Sequence, residues 1–308
     1  MYSGESICQG IVKSKNTQCT NKAYYVQDDK YYCGVHSKKD KRTDLPINPN
    51  KDKLKKEMLE KHFQILETVK NDNKNSNKKG TVTVQKMYMM KQPKLIEGYL
   101  NVYPNYKHQN RTDGFGCPTL SPKYLGPVVH NMPNLPEAKN IENYHQFAKF
   151  WDFELDKNNI PTKEAYQNRI DAYNNPVPYR HKHSKDILKK YGNINIPKFS
   201  IYYDVKGTPH YYNYLQCRYF YCHFYELLVQ KEDDFKKLKD KVNNGYNICI
   251  VGYDGYVPSL DLNDMYNDTS KPFGHEMVLY TMLIEDDTSK YPWNIYYQNN
   301  KNIYKNVI

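Results

Sequence analysis

The stretch "ENYHQFAKFW", residues 142–151, sets a carboxylate, an amide and an ammonium at fixed spacing: Glu142, Gln146 and Lys149. On a helix turning roughly 100° per residue the three fall within one narrow face. Such a face is poor core material. It is either a solvated stripe with salt-bridging potential or one wall of a site. In a site, Glu142 would activate water or stabilise a cation, with Lys149 as its charge partner and Gln146 orienting substrate. Farther along, Arg218 has the fork geometry to clamp a phosphate. Asp254 follows "YNICIVGYDG", an apolar run that reads as a buried strand ending in a turn. Ligand-binding groups collect beyond the C-terminal ends of strands in α/β folds. "KPFGHE" then offers Phe273, Gly274 and His275, and Ser121 opens an extended, proline-broken segment, "SPKYLGPVV".

A second constellation lies at the start. Cys8, Cys19, Cys33 and His36 sit in one short polar segment, the last two as "CGVH". Three thiolates and one imidazole are a standard composition for tetrahedral structural zinc. A segment this short cannot bury a core, so Zn2+ would supply its folding energy. Gly34 would permit the tight turn between Cys33 and His36. The unit resembles the small zinc modules that precede other domains in proteins of large DNA viruses and phages. The remaining cysteines that stand in apolar helix and strand contexts, Cys217, Cys222 and Cys249, read as packing thiols. His181 and His183, in "YRHKHSKD", read as part of a basic loop able to meet phosphate rather than as a metal site.

Positioning these groups takes a sizeable domain. After a zinc-binding module at 1–45, residues 46–80 read as a charged helix and linker. Leu54, Met58, His62, Ile65 and Val69 give the helical spacing, and "NDNKNSNKKG" gives a polar stretch fit for a linker or loop. From 81 to 308 the pattern is α+β. "TVTVQKMYMM" is strand-like, and 140–151 and 163–173 read as helices, the second capped by Thr162. The most apolar helix spans 212–230 and should lie at the centre. Another helix ends at Gly245, one more opens at "PFG", and "NIYYQN" reads as a last strand.

Taken in order over residues 115–286, these segments resemble the NADAR superfamily of N-glycosidases. "ENYHQFAK" carries that family's glutamate, glutamine and lysine spacing, and Arg218, "KLKDKVNNG", Asp254 and "PFGHE" follow in the family's order. Three positions depart from the family pattern. Pro122 follows Ser121 where the family has asparagine, Phe273 replaces a tryptophan, and Gly252-Tyr253 stand where a glutamate follows the strand. The resemblance implies a NADAR-like mixed helix and sheet domain. It also implies catalytic roles for Glu142, Lys149 and Asp254, with substrate contacts from Ser121, Gln146, Arg218, Phe273, Gly274 and His275. The implied reaction is hydrolysis of an N-glycosidic bond in a nucleotide, an ADP-ribosylated base or a modified nucleic-acid base. Its oxocarbenium-like transition state calls for a carboxylate beside the sugar.

The 308 residues carry a net charge of +11, with 39% hydrophobic residues and 32 tyrosines. A basic balance suits a nucleotide or nucleic-acid partner. It equally suits a coding bias toward Lys, Asn, Tyr and Ile. The rival function is therefore a non-catalytic basic nucleic-acid-binding or virion-associated structural protein that keeps the fold. No apolar run reaches the ~20 residues of a membrane span, and the start lacks a signal-peptide core. The expectation is an intracellular protein with no membrane partner. For a viral chain that means host cytoplasm or virus factory, with packaging into the virion as a further option. Protein partners are not indicated.

Overall fold

The computed structural model describes residues 2–46, 48–89, 91–192, 196–259, 261–305 and 307. Two compact units divide the chain, Met1–Gln64 and Ile65–Ile308. The division falls inside the long first helix.

The first unit has five short strands: β1 (Ile11–Val12), β2 (Thr17–Gln18), β3 (Tyr25–Gln27), β4 (Lys30–Tyr32) and β5 (Thr43–Asp44). β1 and β2 form one antiparallel pair, and β3 lies between β4 and β5 in another sheet. Asp28 and Asp29, at φ 50 and 58, make the two-residue turn between β3 and β4. Two successive left-handed residues match the twist of the flanking strands. The buried apolar set is small: Cys8, Cys19, Cys33, Ala23 and Leu45. Helix α1 then runs Pro49–Asn75.

In the second unit the chain continues through β6 (Val82–Lys86), β7 (Tyr99–Tyr103), β8 (Phe115–Gly116), α2 (Ile141–Gln146), β9 (Lys149–Phe150), α3 (Lys163–Asn174) and α4 (Lys185–Tyr191). β10 (Phe199–Tyr203), β11 (Pro209–Tyr212), α5 (Tyr214–Val229), α6 (Asp233–Asn243) and β12 (Asn247–Gly252) follow. The last elements are α7 (Leu262–Asn267), α8 (His275–Ile284), α9 (Pro292–Asn299) and α10 (Lys301–Tyr304). β6, β12, β7 and β8 form a parallel sheet in that order, and β11, β10 and β9 form an antiparallel one. Mixed helix and sheet agree with the α+β expectation.

β12 is central in its sheet and buried from Ile248 to Gly252, as the apolar run "ICIVG" requires. α5 packs against α2, α8, α9, β10 and β11, and its buried face includes Cys217, Arg218, Phe220, Cys222 and Tyr225. The expected central helix is thus observed. Tyrosine fills much of this core. Where its hydroxyls are buried, backbone carbonyls often receive them: Tyr225 donates to Leu120 at 2.7 Å and Tyr304 to Gln216 at 2.8 Å.

Three local expectations are corrected. "NIYYQN" belongs to helix α9, not a strand; Pro292 at the first helical turn is the start signal, and its missing N–H needs no partner there. The polar stretch 71–80 carries α1 on to Asn75 and is then held, with Gly80 N–H donating to Val242 O at 2.7 Å. The third is the single helix expected over 140–151, which ends at Gln146. No helix among the described residues is long and apolar enough to cross a membrane.

Candidate functional site

Helix α2 is one and a half turns long, yet its start is fully tied down. Ile141 N–H donates to Leu125 O at 2.9 Å and Glu142 N–H to Pro122 O at 3.0 Å. The Asn140 side chain accepts from Asn143 N–H at 2.8 Å. Three of the orphan donors of a helix start are thereby satisfied. Asn143 is fully buried, and its amide donates to the carbonyls of Ala172, Asn175 and Val177 while accepting from Tyr179 N–H. This clamps α2 to the end of α3. Ile141, Asn143 and Tyr144 therefore face inward, while Glu142, His145 and Gln146 are only half-buried.

The helix stops at Gln146, and Phe147 closes it. Lys149 is on strand β9, opposite Ser200 of β10. Phe147, Phe150 and Trp151 all bury at the i, i+3, i+4 spacing of a helix, but β10 claims the backbone instead: Ile201 N–H donates to Ala148 O and Lys198 N–H to Phe150 O, both at 2.8 Å, which holds the segment extended. Lys149 nevertheless reaches the same place. Glu142, Gln146, Lys149, Arg218, Asp254, Phe273 and Gly274 line a single pocket of about 220 Å³. The pocket opens beyond the C-terminal end of β12, where Asp254 sits in the turn after Gly252.

Its lining mixes charged, amide and aromatic side chains. Gln146 Nε2 donates to Glu142 Oε1 at 3.3 Å, orienting the carboxylate. Burial pushes Lys149 below the usual lysine range, partly opposed by Cys217 and Glu142. Burial, with help from Lys149, holds His145 neutral, well below its ordinary value. Burial, joined by Glu276, Tyr225 and Glu142, raises Tyr221 far above the usual phenol range, so its hydroxyl keeps its proton.

Arg218 lines the pocket but its terminal nitrogens are engaged. Nη1 donates to Tyr266 O and Nη2 to Lys271 O. Its guanidinium also lies 4.8 Å from the centre of the Tyr214 ring. Arg218 thus anchors the loop that delivers Phe273 and Gly274, which differs from the free phosphate clamp expected. Two other expected residues are outside the lining. His275 Nε2 lies 3.0 Å from Pro104 O, just past β7, and its Nδ1 lies 3.2 Å from Glu276 Oε2. Ser121 is buried, its Oγ accepting from Lys123 N–H at 3.4 Å; its neighbour Pro122 is what holds Glu142.

The structure adds residues that sequence reasoning missed. Tyr214 and Tyr221 line the pocket with Arg218, and their spacing of four and then three along α5 was a readable signal. His145 and Pro272 also line it. Behind it stands Glu276, fully buried, with Oε1 accepting from Asp254 N–H at 3.3 Å. The Glu276 carboxylate fills the space that any side chain at Gly252 would need. Gly252, already read as a departure from the family pattern, is thus the residue that leaves room for a carboxylate sent in from α8. Among the described residues, a slot of about 210 Å³ lined by residues such as His130, Tyr144, Tyr202 and Phe224 has no carboxylate, lysine or arginine in its lining.

In the first unit the four expected ligands do meet. One ligand atom from each of Cys8, Cys19, Cys33 and His36 lies within 4.8 Å of all the others. His36 Nδ1 is 3.5 Å from Cys8 Sγ and 3.4 Å from Cys33 Sγ, and Cys19 and Cys33 sulfurs are 4.0 Å apart. A tetrahedral centre with bonds of ~2.3 Å to sulfur and ~2.0 Å to nitrogen has edges of roughly 3.5–3.8 Å, so the cluster is compatible with a metal ion. Backbone N–H groups of Gly10 and Asn21 point at Cys8 and Cys19 sulfurs, as suits thiolates. Burial raises the Cys33 thiol, but N–H groups of His36 and Val35 outweigh it and bring it down to about 6. The glycine this site needs is Gly10, where a Cβ would run into the His36 ring; at Gly34 a Cβ would meet only Tyr25 at 3.7 Å.

No family model, curated protein or solved structure matches this chain. The NADAR resemblance therefore rests on its sequence motifs alone.

Proposed function

We propose that the second unit is a NADAR-like N-glycosidase acting on a nucleotide, an ADP-ribosylated base or a modified nucleic-acid base. The observation that carries the reading is the convergence of Glu142, Gln146, Lys149 and Asp254 in one pocket from three separate segments. Its volume, about 220 Å³, is below the ~300–1,000 Å³ of drug-sized ligand sites and suits a single ring. Glu142 would activate water or stabilise the oxocarbenium-like sugar, held by Gln146. Lys149 is its charge partner. Asp254, on another wall, would bind the sugar or protonate the leaving base. Tyr214, Tyr221 and Phe273 supply aromatic faces for that base. The metal proposed for Cys8, Cys19, Cys33 and His36 is zinc in a structural role. A second reading, favoured by the net charge of +11, is binding of nucleic acid without turnover.

The test is Glu142→Gln, assayed by release of free base from a panel of nucleotides, ADP-ribosylated bases and oligonucleotides with modified bases. Turnover should fall ~10²–10⁴-fold, as for loss of a general base, with Tm nearly unchanged. A variant that unfolds yet keeps residual turnover would make Glu142 a structural residue. Salt-sensitive binding of oligonucleotides with no release by the wild type would favour the second reading.

A further inference from the structure

A second group of metal-ligating side chains lies in the larger unit, apart from the thiolates. Glu154 ends a short turn after β9, and His181 and His183 sit on the segment between α3 and α4, which is neither helix nor strand. The two imidazoles lie side by side, their ring centres 5.3 Å apart. One ligand atom from each of Glu154, His181 and His183 lies within 4.8 Å of the other two. His181 Nε2 is 2.8 Å from Glu154 Oε1. The other carboxylate oxygen, Oε2, accepts from Trp151 N–H at 3.1 Å, which fixes its orientation.

An aromatic cage sets the rings. Phe147 stacks on His181 at 4.6 Å, and the Trp151 edge meets His181 at 5.0 Å and His183 at 4.4 Å. Phe153 closes on His183 at 4.8 Å. A structural ion pair would account for His181 and Glu154 alone. It does not account for His183, whose Nε2 is buried without a partner, as is Nδ1 of His181. Two imidazoles held together in an apolar cage, one of them beside a carboxylate, are a costly arrangement unless something is shared among them.

We infer that Glu154, His181 and His183 bind a divalent transition-metal ion such as Zn2+. Two imidazoles and a carboxylate are ligands suited to that class. Three protein ligands leave a coordination position open. The cluster lies on a cleft of about 980 Å³ whose lining includes Arg180 and Lys182, so water or an anion from the cleft takes that position. The Cys3His cluster, in contrast, supplies four ligands and is closed. The basic-loop reading of "YRHKHSKD" is replaced by this one. The proposal does not depend on the N-glycosidase reading.

The test uses the full chain, stripped with chelator and titrated with Zn2+. Wild type should take up two ions per chain, and His183→Ala and Cys33→Ser one each. Co2+ adds a readout that does not depend on His183→Ala folding: in Cys33→Ser, whose larger unit keeps its fold, occupancy of this site should quench Trp151, one of only two tryptophans. One ion per chain in the wild type, two ions retained by His183→Ala, or no quenching in Cys33→Ser would each overturn the proposal.

Discussion

Cys8 and His36 come within 3.5 Å of each other across 28 residues of chain. The Glu142 pocket instead draws its walls from α2, β9, α5 and the loops after β12 and before α8. The first convergence is made by short hairpins with almost no apolar core beneath them. The second is made by a packed domain in which each wall is fixed by its own buried hydrogen bonds. The difference teaches where stability resides. In the thiolate unit the ligand set is itself the core, so function and folding are inseparable. Around the pocket, buried residues such as Asn143 hold the fold, and Glu142, Gln146 and Lys149 stand in the lining without being part of that scaffold.

The largest effect should separate the two regions. Removing the metal with a chelator, or Cys33→Ser, should unfold residues 8–36, because structural zinc contributes on the order of 10–16 kcal/mol in small zinc modules. Hydrogen exchange should show amides of the first unit losing protection while those of β12 and α5 keep theirs. Full protection of the stripped first unit would mean that the hairpins fold without metal and that the contrast drawn above is mistaken.

How much of this was legible follows from the same contrast. Cys8, Cys19, Cys33 and His36 could be read because a metal demands particular residue types within a short segment. Glu142 and Gln146 could be read because helical spacing joins them. Lys149 was assigned to the right place through the wrong element, since i+7 on a helix and a turn into β9 both lead to the same wall. Glu276 was missed because nothing local distinguishes it; only the missing side chain at Gly252, across two elements in space, makes room for its carboxylate. The role of Arg218 was misread for a related reason. Sequence gives a guanidinium its charge but not the carbonyls of Tyr266 and Lys271 that take up its nitrogens.

Acid should affect both regions by different routes. In the larger unit the expected contributor is His130, beside the Tyr144 and Tyr173 rings. Its Nε2 donates to Pro136 O at 3.1 Å while Nδ1 accepts from Met132 N–H at 3.3 Å. That pattern requires the neutral ring. Burial, reinforced by Arg169, lowers its pKa to about 4. The unfolded chain, titrating near 6.5, binds the proton first, so stability is full above about pH 6.5 and declines as pH falls toward 4. The loss is on the order of 3 kcal/mol for this residue. His145 and His223, held low by burial, act in the same direction. Chemical denaturation between pH 7 and 4, followed by the fluorescence of Trp151 and Trp293 in the larger unit, should show the slope, and His130→Gln should flatten it. An unchanged slope in the variant would assign the acid sensitivity elsewhere.

The smallest effect tests whether structure and chemistry are as separable around the pocket as the comparison claims. Asn140 caps α2, accepting from Asn143 N–H at 2.8 Å, and is itself buried. Asn140→Ala removes the cap at a cost of about 1 kcal/mol. The helix has other anchors, since Leu125 and Pro122 carbonyls still receive Ile141 and Glu142 N–H groups and the Asn143 clamp is untouched. The domain should therefore stay folded with a slightly lower Tm. Glu142 lies two residues from the lost cap, and small displacements of a reacting carboxylate weaken a transition state far more than a fold, by as much as ~10²-fold for an ångström. Base release should accordingly fall by more than the stability change explains, with the loss in kcat rather than KM. If activity instead tracks the fraction folded across a urea series, α2 is a structural element like its neighbours, and the line drawn here between holding residues and acting residues is in the wrong place.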